Sequence, residues 1–503
     1  MATSMLARRS VRAIWTTARP TVEAHGVLSL SGSNLQQRCL RTKCQEIANF
    51  VNTWRRSERP HIHLGTGLRA FRTPGNRSAT VARVENSLAR AEELRGGGDL
   101  QGAKESLKNS IADEEAQASD CVEITALHNR YGHLLLLEGD TANAMAAFNK
   151  AYTICEDQKA TRNDNPFWAT TLQSIGLGFL AMEDYDRAEV MLRSAAQAIQ
   201  ICYGDNSQPL LKVRTQLCKV FKAQQDVDKS LEMQLVLLDQ LKHMSDSEPL
   251  LTYDEAVASY NIANLMYQKR EFEAANVMVE RAIDRLESLD QMSETVQLNL
   301  AFNYELQGLI HEESGNYDAA HKSYKTAMEM FLTSMGAAEF SKSLHVANLL
   351  RLLGSLEIDR GNLPLALTLL TQGHEMMAAH VSPDPVAFTL LLNRLGGALY
   401  LDGQCEAALE VLLSAVAMLD RPEPLTPVLV SIANIYIDQK DAKNVGETLE
   451  SAVEMCEESA NMPKPIIEAV SESLMVAAGS FGPDFEAKAD ELLGRLERLQ
   501  KQL

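Results

Sequence analysis

The stretch 308–331, GLIHEESGNYDAAHKSYKTAMEMF, ends one apolar stripe at Gly315 and starts another at Tyr317. Its side chains alternate in size: small at Gly308, Ala320 and Ala327, aromatic at Tyr317 and Tyr324, with a Gly315-Asn316 turn between. Two helices packing antiparallel account for this, since small residues let backbones approach while aromatics seven apart fill the wedge beside them. A pair this short cannot bury its apolar faces alone and requires neighbours of its own kind.

The rest of the chain supplies them. In phase with Ala320 lie Ala103, Ala144, Ala188, Ser230, Ala275, Ala366, Ala408 and Val445, at intervals of 37 to 46 residues. Twelve residues before each stands a second small or compact residue: Ala91, Gly132, Gly176, Cys218, Ala263, Gly308, Gly354, Gly396 or Ala433. Seven after it, Ala151, Ala195, Ala282, Ala327, Ala415 and Ala452 recur, and five before it a glycine marks the turn in five copies: Gly98, Gly139, Gly315, Gly361 and Gly403. Three columns held in phase over nine copies define an internal repeat of about 43 residues. Prolines fall at the expected junctions, at Pro166, Pro209, Pro249, Pro383, Pro385, Pro422, Pro424, Pro427, Pro463 and Pro465, while Pro364 opens a second helix. The fourth copy is the most divergent, with Cys218, Ser230 and Gln234 at column positions.

These columns resemble the tetratricopeptide repeat, most closely in NIANLMYQKREFEAANVMVERAI (261–283) and LQGLIHEESGNYDAAHKSYKTAM (306–328). The common unit is about 34 residues, and the longer period here is similar to the kinesin light chain type. The resemblance covers roughly residues 85–500 and implies an all-α fold: a right-handed α-solenoid of about nine helix pairs, preceded by a disordered basic leader. The expected organisation is a targeting leader over 1–40, a basic flexible linker over 41–84, the solenoid over 85–460 and C-terminal capping helices over 461–503. Composition agrees, with 45% hydrophobic but only 6% aromatic residues and no alternating β-rich runs. No apolar run is long enough to span a membrane.

Charge divides the chain. Residues 1–84 carry 14 Lys and Arg against three acids, net +11, leaving 34 basic and 64 acidic residues beyond, net −30. A body so acidic repels a phosphate backbone, so no nucleic-acid partner is expected; an organellar RNA-binding repeat protein is disfavoured by charge and by period alike. The opening MATSMLARRSVRAIWTTARPTV has four arginines and no acid before Glu23, the pattern of a mitochondrial presequence. The expected location is the mitochondrial matrix, with cytoplasm or plastid as alternatives.

Chemistry-bearing motifs are sparse. His61 and His63 lack further ligands, GTG at 65–67 lacks the sequel of a phosphate loop, and GGG at 96–98 is the turn within a repeat. None of the eight cysteines forms a C-x-x-C pair; those in the body read as small core residues in a reducing compartment. His311 reads as a packed histidine, and the methionines as core gap-fillers. No catalytic residue, cofactor or metal is expected, and the chain reads as a non-enzyme.

Stacked first helices line a concave face that can hold an extended peptide or a partner helix. The groove candidates are Asn129, Arg130, Asn261, Asn264, Arg351, Asn393, Arg394 and Asn434, because amides both donate to and accept from a peptide backbone. Arg130 and Arg394 lie too far apart to share one carboxylate clamp, and Glu305, Glu312, Glu313, Glu357, Asp359, Asp402 and Asp438 favour a groove of mixed or negative sign. The functional expectation is a protein-binding scaffold or assembly factor, with an organisation similar to the mitochondrial tetratricopeptide protein that supports respiratory complex III, though without its membrane span. The alternative is a cytosolic cargo adaptor of the kinesin light chain kind, against which residues 1–84 show no heptad pattern. Self-association is left open.

Overall fold

The computed structural model describes residues 79–116, 122–245, 251–380, 384–419, 421–459 and 462–501. The proposed leader, the His61/His63 pair, the GTG motif, Cys39, Cys44 and Cys121 lie outside these residues.

The described residues form 21 helices, with no strand among them. Twenty of them make ten pairs: α1 (Ala79–Gly96) with α2 (Leu100–Ala116), α3 (Ile124–Leu137) with α4 (Thr141–Asp157), α5 (Pro166–Ala181) with α6 (Tyr185–Tyr203), α7 (Gln208–Ala223) with α8 (Val227–Ser245), and α9 (Thr252–Gln268) with α10 (Phe272–Glu287). These are followed by α11 (Glu294–Glu313) with α12 (Tyr317–Met335), a single-turn helix α13 (Ala337–Phe340), α14 (Leu344–Asp359) with α15 (Leu363–Ala378), α16 (Pro385–Leu401) with α17 (Cys405–Val416), α18 (Pro422–Asp438) with α19 (Ala442–Glu458), and α20 (Lys464–Phe481) with α21 (Pro483–Gln500). Two compact units divide the chain after Leu265, inside α9.

Two boundaries differ from expectation. The first helix starts at Ala79, within the stretch assigned to linker. The expected capping helices are a tenth pair in register, for Ala477 and Ala489 are twelve apart and both fully buried, as in the other nine copies.

The small columns mark the closest approaches. A Cβ added at Gly132 would come within 2.4 Å of the Phe148 ring, at Gly176 within 2.7 Å of Leu192, at Gly308 within 2.4 Å of Tyr324, at Gly354 within 2.6 Å of Leu370 and at Gly396 within 2.5 Å of Leu412. In every case the partner stands four residues after the anchor and is buried, so each first helix takes a large side chain of the second into the space its glycine leaves. In the fourth copy that large residue is Gln234, 7% exposed and with its Oε1 unsatisfied. Tyr317, expected to share the wedge with Tyr324, is only half-buried.

The turn within each pair is the same in all nine aligned copies. Beside the five glycines, Glu183, Gln225, Arg270 and Lys440 occupy the equivalent position with φ between 58° and 62°. The next residue's N–H reaches back to a carbonyl five residues earlier, as in Asp140 to Leu135 and Asn316 to His311, the closure of a Schellman motif. That next residue also caps the second helix: carboxylates of Asp99, Asp140, Asp184, Asp226 and Asp441 accept from the backbone N–H three residues on.

Pro427 departs from its expected place at a junction. It lies inside α18, where its missing N–H forgoes the bond to the Glu423 carbonyl.

Candidate functional site

The eight groove candidates sit on first helices, and the structure separates them by exposure and partner. Asn129 on α3 is 3% exposed and donates from Nδ2 to Thr171 Oγ1 of the next first helix, 3.0 Å away. Asn393 on α16 accepts from Ser431 Oγ on α18 at 2.9 Å, and Asn434 on α18 accepts from Ser473 Oγ on α20 at 3.3 Å. Gln173 and Gln216, which the sequence reading passed over, pair likewise at 3.1 Å between α5 and α7. These contacts recur at one repeat's spacing and form a ladder of polar rungs between successive first helices. Asn129 and Asn434 are therefore corrected from groove ligands to rungs, for they are buried and engaged. Asn393 is half-buried and also spends its amide oxygen on a rung. Asn129 Oδ1 and Asn434 Nδ2 remain without partners.

The arginines differ in what they meet. Arg130 is ion-paired with Glu92 of the preceding first helix. Arg394 is 9% exposed and holds a polar or charged interaction of its own. Arg351 on α14 is 8% exposed and donates from Nε to Asn348 Oδ1 at 3.0 Å.

Only Asn261 and Asn264 match the geometry of an available amide. Both are half-buried on α9. Three residues apart on one helix, they make no side-chain hydrogen bond to any described residue.

Several acids assigned to the groove serve packing. Glu312 accepts from the buried Tyr324 hydroxyl at 2.7 Å. Glu357, 1% exposed, takes bonds from His321, Arg360 and Asn362, and those donors hold its carboxyl below the ordinary range against the opposing effect of burial. Asp438 accepts from the Tyr400 hydroxyl. Glu305 differs: half-buried on α11, it is pushed up to about 7 by desolvation, while Arg351 and Asn348 pull the other way.

Helices α14 and α18 leave little else exposed. Every residue from Leu349 to Ile358 on α14 and from Pro424 to Ile435 on α18 is buried.

Cys155, Cys218 and Cys456 are buried, and Cys202 and Cys405 half-buried, all with free thiols. Burial pushes Cys218 and Cys456 up to about 12, so neither is a nucleophile at neutral pH. His311 is half-buried, its imidazole shifted down by desolvation. Among the described residues no three His, Cys, Asp or Glu side chains converge as a metal site requires, and no helix is long and apolar enough to cross a membrane.

Comparison with known proteins agrees with this geometry. Residues 125–158, which are α3 and α4, match the family model of the tetratricopeptide repeat. The apo form of RapI superimposes with a TM-score of 0.55 at 13% identity, over 75% of this chain and 98% of its own. The apo quorum sensor NprR from B. thuringiensis gives 0.49 at 13%, over 74% and 99%. A putative kinesin light chain from Podospora anserina with nearly identical tetratricopeptide-like repeats gives 0.36 at 14%, over 42% and 98%. No curated protein sequence matches. The chain therefore carries a tetratricopeptide repeat, and its fold is a helical-repeat solenoid of that type. This architecture is typical of non-enzymatic scaffolds.

Proposed function

We propose that this protein is a non-enzymatic scaffold that holds an extended segment of a partner protein against its first helices, with Asn261 and Asn264 gripping the partner's backbone. The observation that carries the reading is the pair itself. Two half-buried amides on one helix face, without side-chain partners among the described residues, have bonding capacity that the fold does not use. Asn129, Asn393, Asn434, Arg130 and Arg394 are engaged in packing, ion pairs or rungs.

The experiment is affinity capture with the full chain and with the Asn261→Ala/Asn264→Ala variant, circular dichroism showing both folded. Neither residue fills a small-residue column, so stability is expected to be unchanged. Each bond contributes on the order of 0.5–1.5 kcal/mol, so a specific partner should bind roughly tenfold or more weakly to the variant. Identical partner sets at equal occupancy would refute the assignment.

We also propose that this binding takes place in mitochondria. The support is the arginine-rich, acid-poor opening of the chain. Removing residues 2–22 should leave a fluorescent fusion in the cytosol; an unchanged mitochondrial signal would refute the targeting.

A further inference from the structure

The first helices α11 and α14 pack less closely on each other than α14 and α16 or α16 and α18 do. The junction between them, 336–343, holds the single-turn helix α13, which lengthens the repeat here to 46 residues, the longest interval in the chain. Where four other junctions place a neutral rung, this junction places charge: Glu305 on α11 and Arg351 on α14, each fifteen residues before its anchor.

This rung is incomplete. Arg351 is 92% buried, its Nε spent on Asn348, yet its two amino groups meet no hydrogen-bond acceptor and no carboxylate at ion-pair distance among the described residues. A guanidinium carries five donors, and the amino nitrogens of Arg351 are not among the buried side-chain atoms without a partner, so they keep access to solvent. Glu305 and Asn348 stand half-buried beside it. One turn toward the N-termini, half-buried Phe302 meets the exposed His345 edge-on, ring centroids 5.3 Å apart. An aromatic pair therefore stands one helical turn from the guanidinium.

We propose that Arg351, with Asn348 and Glu305, is a receptor for the carboxylate of an acidic side chain within a bound peptide segment, and that Glu305 must be protonated for it to bind. The inference rests on the scaffold reading above and specifies its ligand. An incoming carboxylate completes the donors of Arg351, and Asn348 supplies a further amide. Ionised Glu305 competes for the same cation and repels the ligand. Protonated, it becomes a donor.

The groups around Glu305 support a proton-dependent site. From α14 it faces Arg351 and Asn348; from α12, Tyr324, whose hydroxyl is committed to Glu312. Desolvation, only partly offset by Arg351 and Asn348, favours the neutral carboxyl and poises it near neutral pH.

The test uses the full chain and three fluorescent pentapeptides with an aliphatic residue on each side of the centre: one with central Glu and both ends blocked, its Gln analogue, and the Gln analogue with a free C-terminal carboxylate. The Glu peptide should bind in preference to the others. Its affinity should rise roughly tenfold from pH 8 to pH 6 as a group titrating near 7 becomes protonated, a window well above the peptide's own carboxyl. Glu305→Gln should hold affinity at its pH 6 level throughout. Arg351→Gln should remove the preference for Glu over Gln. The isosteric Glu305→Gln variant decides the matter should Arg351→Gln fail to fold. Equal binding of Glu and Gln peptides, preference for the free C-terminus, or a pH response surviving in Glu305→Gln would overturn the site. So would failure of all three peptides to bind at millimolar concentration. The capture experiment on Asn261 and Asn264 decides the wider scaffold reading separately.

Discussion

Replacing Gly308 with alanine tests the packing of the repeat at one of its close approaches. The new methyl carbon would stand 2.4 Å from both Cδ1 and Cε1 of Tyr324 and 3.0 Å from its Cγ, against an ordinary carbon contact of about 3.5–4.0 Å. Tyr324 is fully buried and tethered through its hydroxyl to Glu312, so the ring cannot yield without straining or losing that bond. Overpacking costs about 1–3 kcal/mol and breaking a buried hydrogen bond about 1–3 kcal/mol more. The gain in helix propensity from Gly to Ala returns only about 1 kcal/mol. Gly308→Ala should therefore destabilise by about 1–5 kcal/mol. Gly494, inside α21 with nothing within 4 Å of its added Cβ, supplies the control: Gly494→Ala should stabilise by about 0.5–1 kcal/mol. Both positions lie in the unit that begins at Met266, and urea unfolding of the full chain followed by circular dichroism reads both. A Gly308→Ala protein as stable as the Gly494→Ala protein would refute the register of the helix pairs.

Further outcomes follow from the same geometry. Gln234→Leu should stabilise by about 1–2 kcal/mol, since it removes a buried unsatisfied amide oxygen from a column where other copies carry Leu, Val, Phe or Tyr; a urea midpoint unchanged or lowered would contradict it. Arg270→Gly should stabilise by about 0.5 kcal/mol, because the relief of a left-handed residue at φ 61° exceeds the entropy glycine adds to the unfolded chain; thermal melts check the sign. Glu305 binds its proton more tightly folded than unfolded, so its contribution to stability is fully present below about pH 4.5 and is lost as pH rises through 7. The loss is on the order of 1–2 kcal/mol after allowing for its partial exposure, and Glu305→Gln should flatten that part of the stability-against-pH curve.

The fold was legible because close helix packing leaves few choices. Gly308, Gly354 and Gly396 are glycines for want of space, and a size constraint repeated nine times is visible in a single sequence. The turns were half legible: five announce themselves as glycine, whereas Glu183, Gln225, Arg270 and Lys440 adopt the same conformation because the flanking helices and the back-bonded N–H impose it. The recurring aspartate caps were readable but went unread. Pro427 could not be placed, since the start of α18 rather than proline itself decides whether it falls inside a helix. The candidate site was the least legible. Asn129, Asn393 and Asn434 carry the same amide chemistry as Asn261 and Asn264, and only the partner on the next first helix, about forty residues away, distinguishes a rung from an available group.

The most direct test of the account installs a photo-crosslinking side chain at position 264 in one protein and at position 277 in another, then irradiates both in cells. Asn264 is the available amide of a first helix, while Val277 is an exposed apolar residue of the following second helix. The account predicts a discrete crosslinked partner peptide from position 264 and none from position 277. Crosslinks from position 277 alone would place the binding surface on the second helices and contradict it.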